Sequence, residues 1–136
     1  MKILMFNTKE FGFKTFSKTI ETAKADEKEE TIKDSIVVFI NVEKEDEAKM
    51  NEIVEKAVGN ITWLAKKLDR NEIVLHSFAH LSDSKSSPEF AEDVIRDIKD
   101  KLENKNYETL VTPFGYFLEF RIHVLGESLA KVFKSI

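Results

Sequence analysis

The segment Ile36-Val37-Val38-Phe39-Ile40 is apolar at every position and rich in β-branched side chains. A strand with one wet face alternates apolar with polar, so an uninterrupted run marks a strand covered on both faces. That requirement constrains the whole chain, because the fold must supply a layer above and a layer below this strand. One layer is legible downstream. Ile53, Ala57, Ile61, Leu64 and Leu68 recur at helical spacing and predict a long helix from Met50 to Leu68. Ile73-Val74-Leu75 predicts a short buried strand. Ser87-Pro88 then supplies an N-cap and a proline at the first helical position. Phe90, Ala91, Val94, Ile95, Ile98 and Leu102 form that second helix's apolar face, and Asn104 to Asn106 ends it.

The flanks add strands. Ile3 to Phe6 and Phe11 to Phe16 read as two strands around a polar turn at Asn7-Thr8. The charged run Lys24 to Glu30 reads as a solvated loop or short helix. Tyr107 to Val111 is a further strand. Tyr116 to Leu125 alternates, with Leu118, Phe120, Ile122 and Val124 on one side and Glu119, Arg121 and His123 on the other. Leu129, Val132, Phe133 and Ile136 suggest a short closing helix, with a strand as the alternative. Two strand-helix-strand crossovers on a sheet that also has antiparallel members give an α/β (α+β) class: a mixed β-sheet covered by helices.

Composition removes several kinds of function. With no cysteine among 136 residues, neither a disulfide framework nor a thiolate metal site is possible. No apolar run is long enough to span a bilayer, so a cytoplasmic protein without membrane contacts is expected. The net charge of −4 argues against an extensive grip on a nucleic-acid backbone, DNA included, so any RNA contact is local and small.

Candidate chemistry is sparse. His76 and His80 are four apart, a spacing that converges on a helix, but they straddle a strand end and its loop, and no HExxH pattern surrounds them. Ser82, Asp83, Ser84, Ser86 and Ser87 crowd that loop without a nucleophile elbow. The four glycines form no phosphate-binding pattern. Pro113-Phe114-Gly115-Tyr116 reads either as a tight turn with aromatic plugs or as a rim where backbone groups approach a ligand closely. The residues alone point to a small-molecule or RNA-end pocket of open chemistry.

Taken together, Val42-Glu43-Lys44, Phe78-Ala79-His80-Leu81-Ser82 and Pro113-Phe114-Gly115-Tyr116 resemble, in order and spacing, the N-terminal editing domain of archaeal threonyl-tRNA synthetase. The resemblance runs over residues 1–136, read as a single editing domain forming the N-terminal part of a longer synthetase. It implies a D-aminoacyl-tRNA deacylase-like fold and a proofreading ester hydrolase that removes L-serine mischarged on threonine tRNA, helped by the 2′-hydroxyl of the terminal adenosine. The alternatives are a D-aminoacyl-tRNA deacylase and a non-catalytic domain that binds the tRNA end. Carried over by position, the resemblance implies that Val42, Phe78, Ala79, Ala91, Phe114, Gly115, Tyr116 and Phe117 bind substrate. It implies that His80 lies beside the aminoacyl-ribose end, orienting substrate or water. No metal is implied here, and ATP and zinc belong only to the synthetic domain. The 3′ end of the aminoacylated tRNA is the implied partner, and a homodimer the implied assembly. The sequence departs from the family pattern in two places. Phe117-Leu118 stands where a tyrosine and a lysine follow PFGY, and Lys131 stands where a glutamate is common. Lys131 is therefore the candidate to supply a catalytic cation from across the pocket.

Overall fold

In the computed structural model, which describes all residues from Met1 to Ile136, the run around Ile36–Ile40 is the middle of a sheet. The strands are β1 (Lys2–Lys18), β2 (Glu29–Asn41), β3 (Glu72–Ser77), β4 (Glu108–Val111), β5 (Tyr116–Val124) and β6 (Lys131–Ser135), with helices α1 (Met50–Lys67) and α2 (Pro88–Asn104). The order across the sheet is β4-β3-β2-β1-β5, and β6 also pairs with β1. β2, β3 and β4 run parallel through the two helical crossovers, while β1 is antiparallel to β2, β5 and β6. The expected mixed sheet is the observed one.

β2 is covered on both faces. Ile36, Val38 and Ile40 join Ile3, Met5, Ile73 and Leu75 beneath α1 and α2, which contribute Ile53, Ala57, Ile61, Leu64, Val94, Ile98 and Leu102. Val37 and Phe39 face the other way, into a smaller cluster with Phe11, Phe13 and Val74. Full burial of each such side chain contributes roughly 1.5–3 kcal/mol, so the two layers hold this strand from both sides. Ser87 caps α2 as predicted, its Oγ accepting the Phe90 N–H at 3.2 Å with Pro88 at the helix start.

Two expectations are corrected. Asn7-Thr8 is no turn: β1 is one strand of 17 residues. The polar pair is buried instead, with partners. Thr8 Oγ1 donates to the Ser35 carbonyl at 2.9 Å, and Asn7 Oδ1 accepts from Arg70 Nε at 2.8 Å. The closing segment is a 3-10 turn (Ser128–Ala130) followed by strand β6, because the free edge of β1 from Lys2 to Phe6 takes it up as a ladder partner. The charged run is a loop up to Lys28, and Glu29 and Glu30 already belong to β2.

Candidate active site

The C-terminal ends of β2 and β3 open onto a cavity of about 450 Å3. Its walls come from the sequence segments singled out above, brought together by the parallel crossovers. At the end of β2, the chain leaves Ile40 and Val42 on the floor, both buried. After β3, Phe78, Ala79 and His80 form one wall, tied back to β2 by the Phe78 N–H, which donates to the Ile40 carbonyl at 2.8 Å. Ala91 contributes from the first turn of α2. The opposite wall is Phe114, Gly115, Tyr116 and Phe117, at the entry to β5.

The loop between β3 and α2 is held by two side chains at the end of β2, Asn41 and Glu43. Asn41 Oδ1 accepts the backbone N–H groups of Leu81 and Ser82, both at 3.0 Å, and its amide donates to the Ser84 carbonyl at 3.1 Å. Glu43 accepts the Ser82 hydroxyl at 2.6 Å, the Met1 ammonium at 2.7 Å and Lys2 Nζ at 3.3 Å. Burial works to raise the Glu43 pKa. The hydrogen bonds from the Met1 ammonium, Ser82 and Lys2 outweigh it and hold the carboxyl at about 2. The loop is therefore pinned by a carboxylate that stays ionised.

On the opposite wall, Gly115 has φ +82, and a Cβ there would lie 2.8 Å from the Ala23 methyl. Only glycine fits, and its carbonyl accepts the Thr19 N–H at 2.7 Å, which draws Thr19 and Ile20 into the rim. The Tyr116 hydroxyl donates to the Lys24 carbonyl at 3.0 Å and accepts the Asp26 N–H at 3.1 Å, so its ring is fixed while its oxygen points away into that loop. The Pro-Phe-Gly-Tyr segment is thus both a tight turn and a cavity rim.

All the residues expected to bind substrate line this cavity, and so does His80, exposed on the loop with its ring 5.1 Å from that of Phe78. Lys131 does not. It pairs with Phe6 in the β1–β6 ladder, and its Nζ donates to the Leu125 carbonyl at 3.0 Å. A register on the outer side of β1 carries it away from the pocket, whereas Leu118 does line the cavity. Sequence reasoning gave no lining role to Thr19, His76, Ser77, Lys85 and Thr112, which are further polar contributors. His76 carried a signal, being a polar residue inside an otherwise apolar buried strand.

The chemical inventory is narrow. No carboxylate lines the cavity, Lys85 is its one side chain of fixed positive charge, and no cluster of three potential metal ligands exists. His76 Nδ1 and Thr112 Oγ1 are 2.9 Å apart, and burial pushes the His76 pKa down to about 4. Such a site can bind an apolar or aromatic group and offer backbone dipoles. Its one hydroxyl–imidazole pair, Thr112 with His76, is buried, and the depressed pKa makes that imidazole a weak base.

The sequence profile described as the archaea-specific editing domain of threonyl-tRNA synthetase matches residues 1–136. Threonine–tRNA ligases of Thermococcus kodakarensis and Methanococcus maripaludis are 33% and 34% identical over 139 and 136 residues, covering 100% of this chain and 22% of each relative. The chain thus spans about a fifth of the length of these curated relatives. A solved structure titled c-Myc DNA Unwinding Element Binding Protein superposes with a TM-score of 0.65 at 15% identity, over 100% of this chain and 99% of that one. That likeness bears on the fold alone, a mixed sheet with two helices shared from end to end.

Proposed function

Because the chain belongs to the archaea-specific editing domains of threonyl-tRNA synthetase, we propose that it hydrolyses L-serine from mischarged threonine tRNA. The observation that carries this reading is a cavity built largely from apolar side chains and backbone, with no carboxylate, whose one hydroxyl–imidazole pair is buried and weakly basic. Serine lacks one methyl of threonine, a difference worth only ~1–3 kcal/mol in any single site. A second pocket that excludes the methyl corrects the error by steric selection. Val42, Ala79 and Ala91 set the wall dimensions for that selection.

In the proposed reaction, water attacks the ester carbonyl carbon, the bond to the ribose 3′ oxygen breaks, and a proton passes to that oxygen. The terminal 2′-hydroxyl, supplied by the RNA, orients or activates the water. The protein holds the two ends: aromatic side chains at Phe114, Tyr116 and Phe117 flank the adenosine, and His80 orients the aminoacyl-ribose junction. The lack of a carboxylate or a strongly basic imidazole in the lining favours this division of labour, since positioning alone can supply a large share of the barrier reduction. A homodimer accompanies the reading, because β5 and β6 each leave an outer edge unpaired and Phe133 on β6 is 52% exposed.

The test is side-by-side deacylation of L-seryl-, L-threonyl- and D-aminoacyl-tRNA, each also with a terminal 2′-deoxyadenosine. Seryl ester is expected to be cleaved, threonyl ester largely spared, and the 2′-deoxy substrate inert. Equal cleavage of seryl and threonyl esters sinks the proofreading assignment, and preference for the D-ester substitutes the alternative. Sedimentation at micromolar concentration checks the dimer, against which a mass of 15.7 kDa counts.

A further inference from the structure

The proposed reaction leaves one buried titratable group unused. His76 ends β3 beneath the cavity and is 6% exposed. Its ring is boxed by Phe39, Phe120 and Phe78, with centroids 5.0, 5.9 and 6.0 Å away. Nδ1 is engaged with Thr112 Oγ1 at 2.9 Å, and Thr112 is itself fixed by its N–H, which donates to the Leu75 carbonyl at 3.0 Å. Nε2 has no partner in the protein. Since no buried side-chain nitrogen or oxygen is left unpaired, this atom opens onto the cavity that His76 lines.

Resting on the function proposed above, we infer that His76 is a substrate-positioning contact on the cavity floor, presenting Nε2 to a hydroxyl of the aminoacyl-ribose end while Thr112 fixes the other ring nitrogen. The chemistry follows from the pairing. Either partner of the Nδ1–Oγ1 bond can donate, so Nε2 is a bare acceptor in one arrangement and an N–H donor in the other. An ammonium suits only the first, and a carbonyl only the second. A hydroxyl suits both. Burial keeps the imidazole neutral near pH 7, so it meets the ligand as a dipole. The three phenylalanine rings offer Nε2 no polar partner from the protein, so a ligand lacking the hydroxyl loses the contact outright. Two ligand hydroxyls qualify, that of the seryl side chain and the ribose 2′-hydroxyl.

Calorimetry with the intact chain separates them. The probe is seryl-3′-aminoadenosine, whose amide resists hydrolysis, beside its alanyl and 2′-deoxy counterparts. His76→Phe keeps the aromatic packing and removes both nitrogens. The wild-type chain is expected to bind the probe, and His76→Phe to bind it about tenfold more weakly. The source hydroxyl is the one whose deletion weakens wild-type binding but costs nothing further in His76→Phe. Deletions that cost the same in both proteins overturn the inference, as does equal probe affinity. No binding by the wild-type chain sinks the proposed function, and the inference with it, whereas loss confined to the coupling sinks the inference alone. If His76→Phe does not fold, 15N spectra of the wild-type ring decide. The Nε2 resonance is expected to move on addition of the probe, and an unmoved resonance in the bound complex overturns the assignment. Thr112→Val, which frees Nδ1, is expected to weaken the probe less than His76→Phe does, and unchanged affinity removes Thr112 from the arrangement.

Discussion

His80 and Lys131 were the two side chains that the sequence nominated for catalysis, and the fold separates them. His80 stands on an exposed loop whose backbone is held by Asn41, not by the imidazole. His80→Ala is therefore expected to lower seryl-tRNA hydrolysis about tenfold or more, ~1.4 kcal/mol in the barrier, with thermal stability retained. Lys131 holds the Leu125 carbonyl outside the cavity, so Lys131→Ala is expected to leave the rate near wild type. A dead Lys131→Ala variant beside an active His80→Ala variant would reverse these roles. His76 makes a different kind of demand. Its folded pKa of about 4 lies below the unfolded value near 6.5, so the folded state prefers it neutral. The associated stability is fully present above pH 6.5 and is lost as pH falls toward 4, on the order of 3 kcal/mol in all. Urea titrations from pH 7 to pH 4 are expected to show this loss, and His76→Phe to flatten it. An unflattened profile would place the acid sensitivity elsewhere. The motif residues on the two walls were legible in the sequence because each sits in a short signature. The role of His76 was not, because it depends on Phe39 of β2, Phe120 of β5 and Thr112 just after β4.

At the scale of the element, the misread turn at Asn7-Thr8 came from a real signal. The second-face apolar residues of β1 are Leu4 and Phe6 before that point and Phe11 and Phe13 after it, so the pattern changes phase. β2 changes phase in the matching place, from Phe39 and Val37 to Ile32. The ladder pairs Thr8 with Ser35 and Glu10 with Lys33, leaving Lys9 and Asp34 out, and Asp34 has φ +51. Both strands thus kink together, and one apolar face continues through the bend while the β1–β2 register is kept. A phase break in one strand looks like a turn to sequence reasoning, because the compensating break lies 25 residues away. The closing segment was misread for a related reason: its apolar residues fit either period, and only the free edge of β1 selects a strand. The helices were legible because their period is local. Asp34→Val tests the kink. A β-branched residue resists left-handed backbone, so a loss of roughly 1–2 kcal/mol is expected, with Asp34→Gly tolerated. The Asp34–Arg70 ion pair, at 3.8 Å with Asp34 exposed, is lost in both variants and so does not enter the difference between them. Equal denaturation midpoints for the Val and Gly variants would show that the kink carries no strain.

Over the whole molecule, charge and cavity chemistry stand in opposition. Asp and Glu number 25 against 21 Lys and Arg, yet no carboxylate lines the cavity and Lys85 stands on its rim in no ion pair. A protein of this sign repels an RNA duplex at long range and can attract a single strand only where the acidic groups are cleared away. The proposed substrate presents such a strand, the unpaired end that carries the ester. Each phosphate neutralised on a single strand contributes about −0.7 to the slope of log affinity against log salt. One rim cation therefore predicts a slope near −0.7 for seryl-tRNA binding to this chain, lost in Lys85→Ala. The same reasoning predicts that a short acceptor-end mimic binds nearly as well as whole tRNA, because a chain of net charge −4 gains little from the duplex. Filter binding from low to moderate salt measures both quantities. A slope steeper than about −3 would mean that several lysines grip the backbone together, and the local, end-only contact would have to be abandoned.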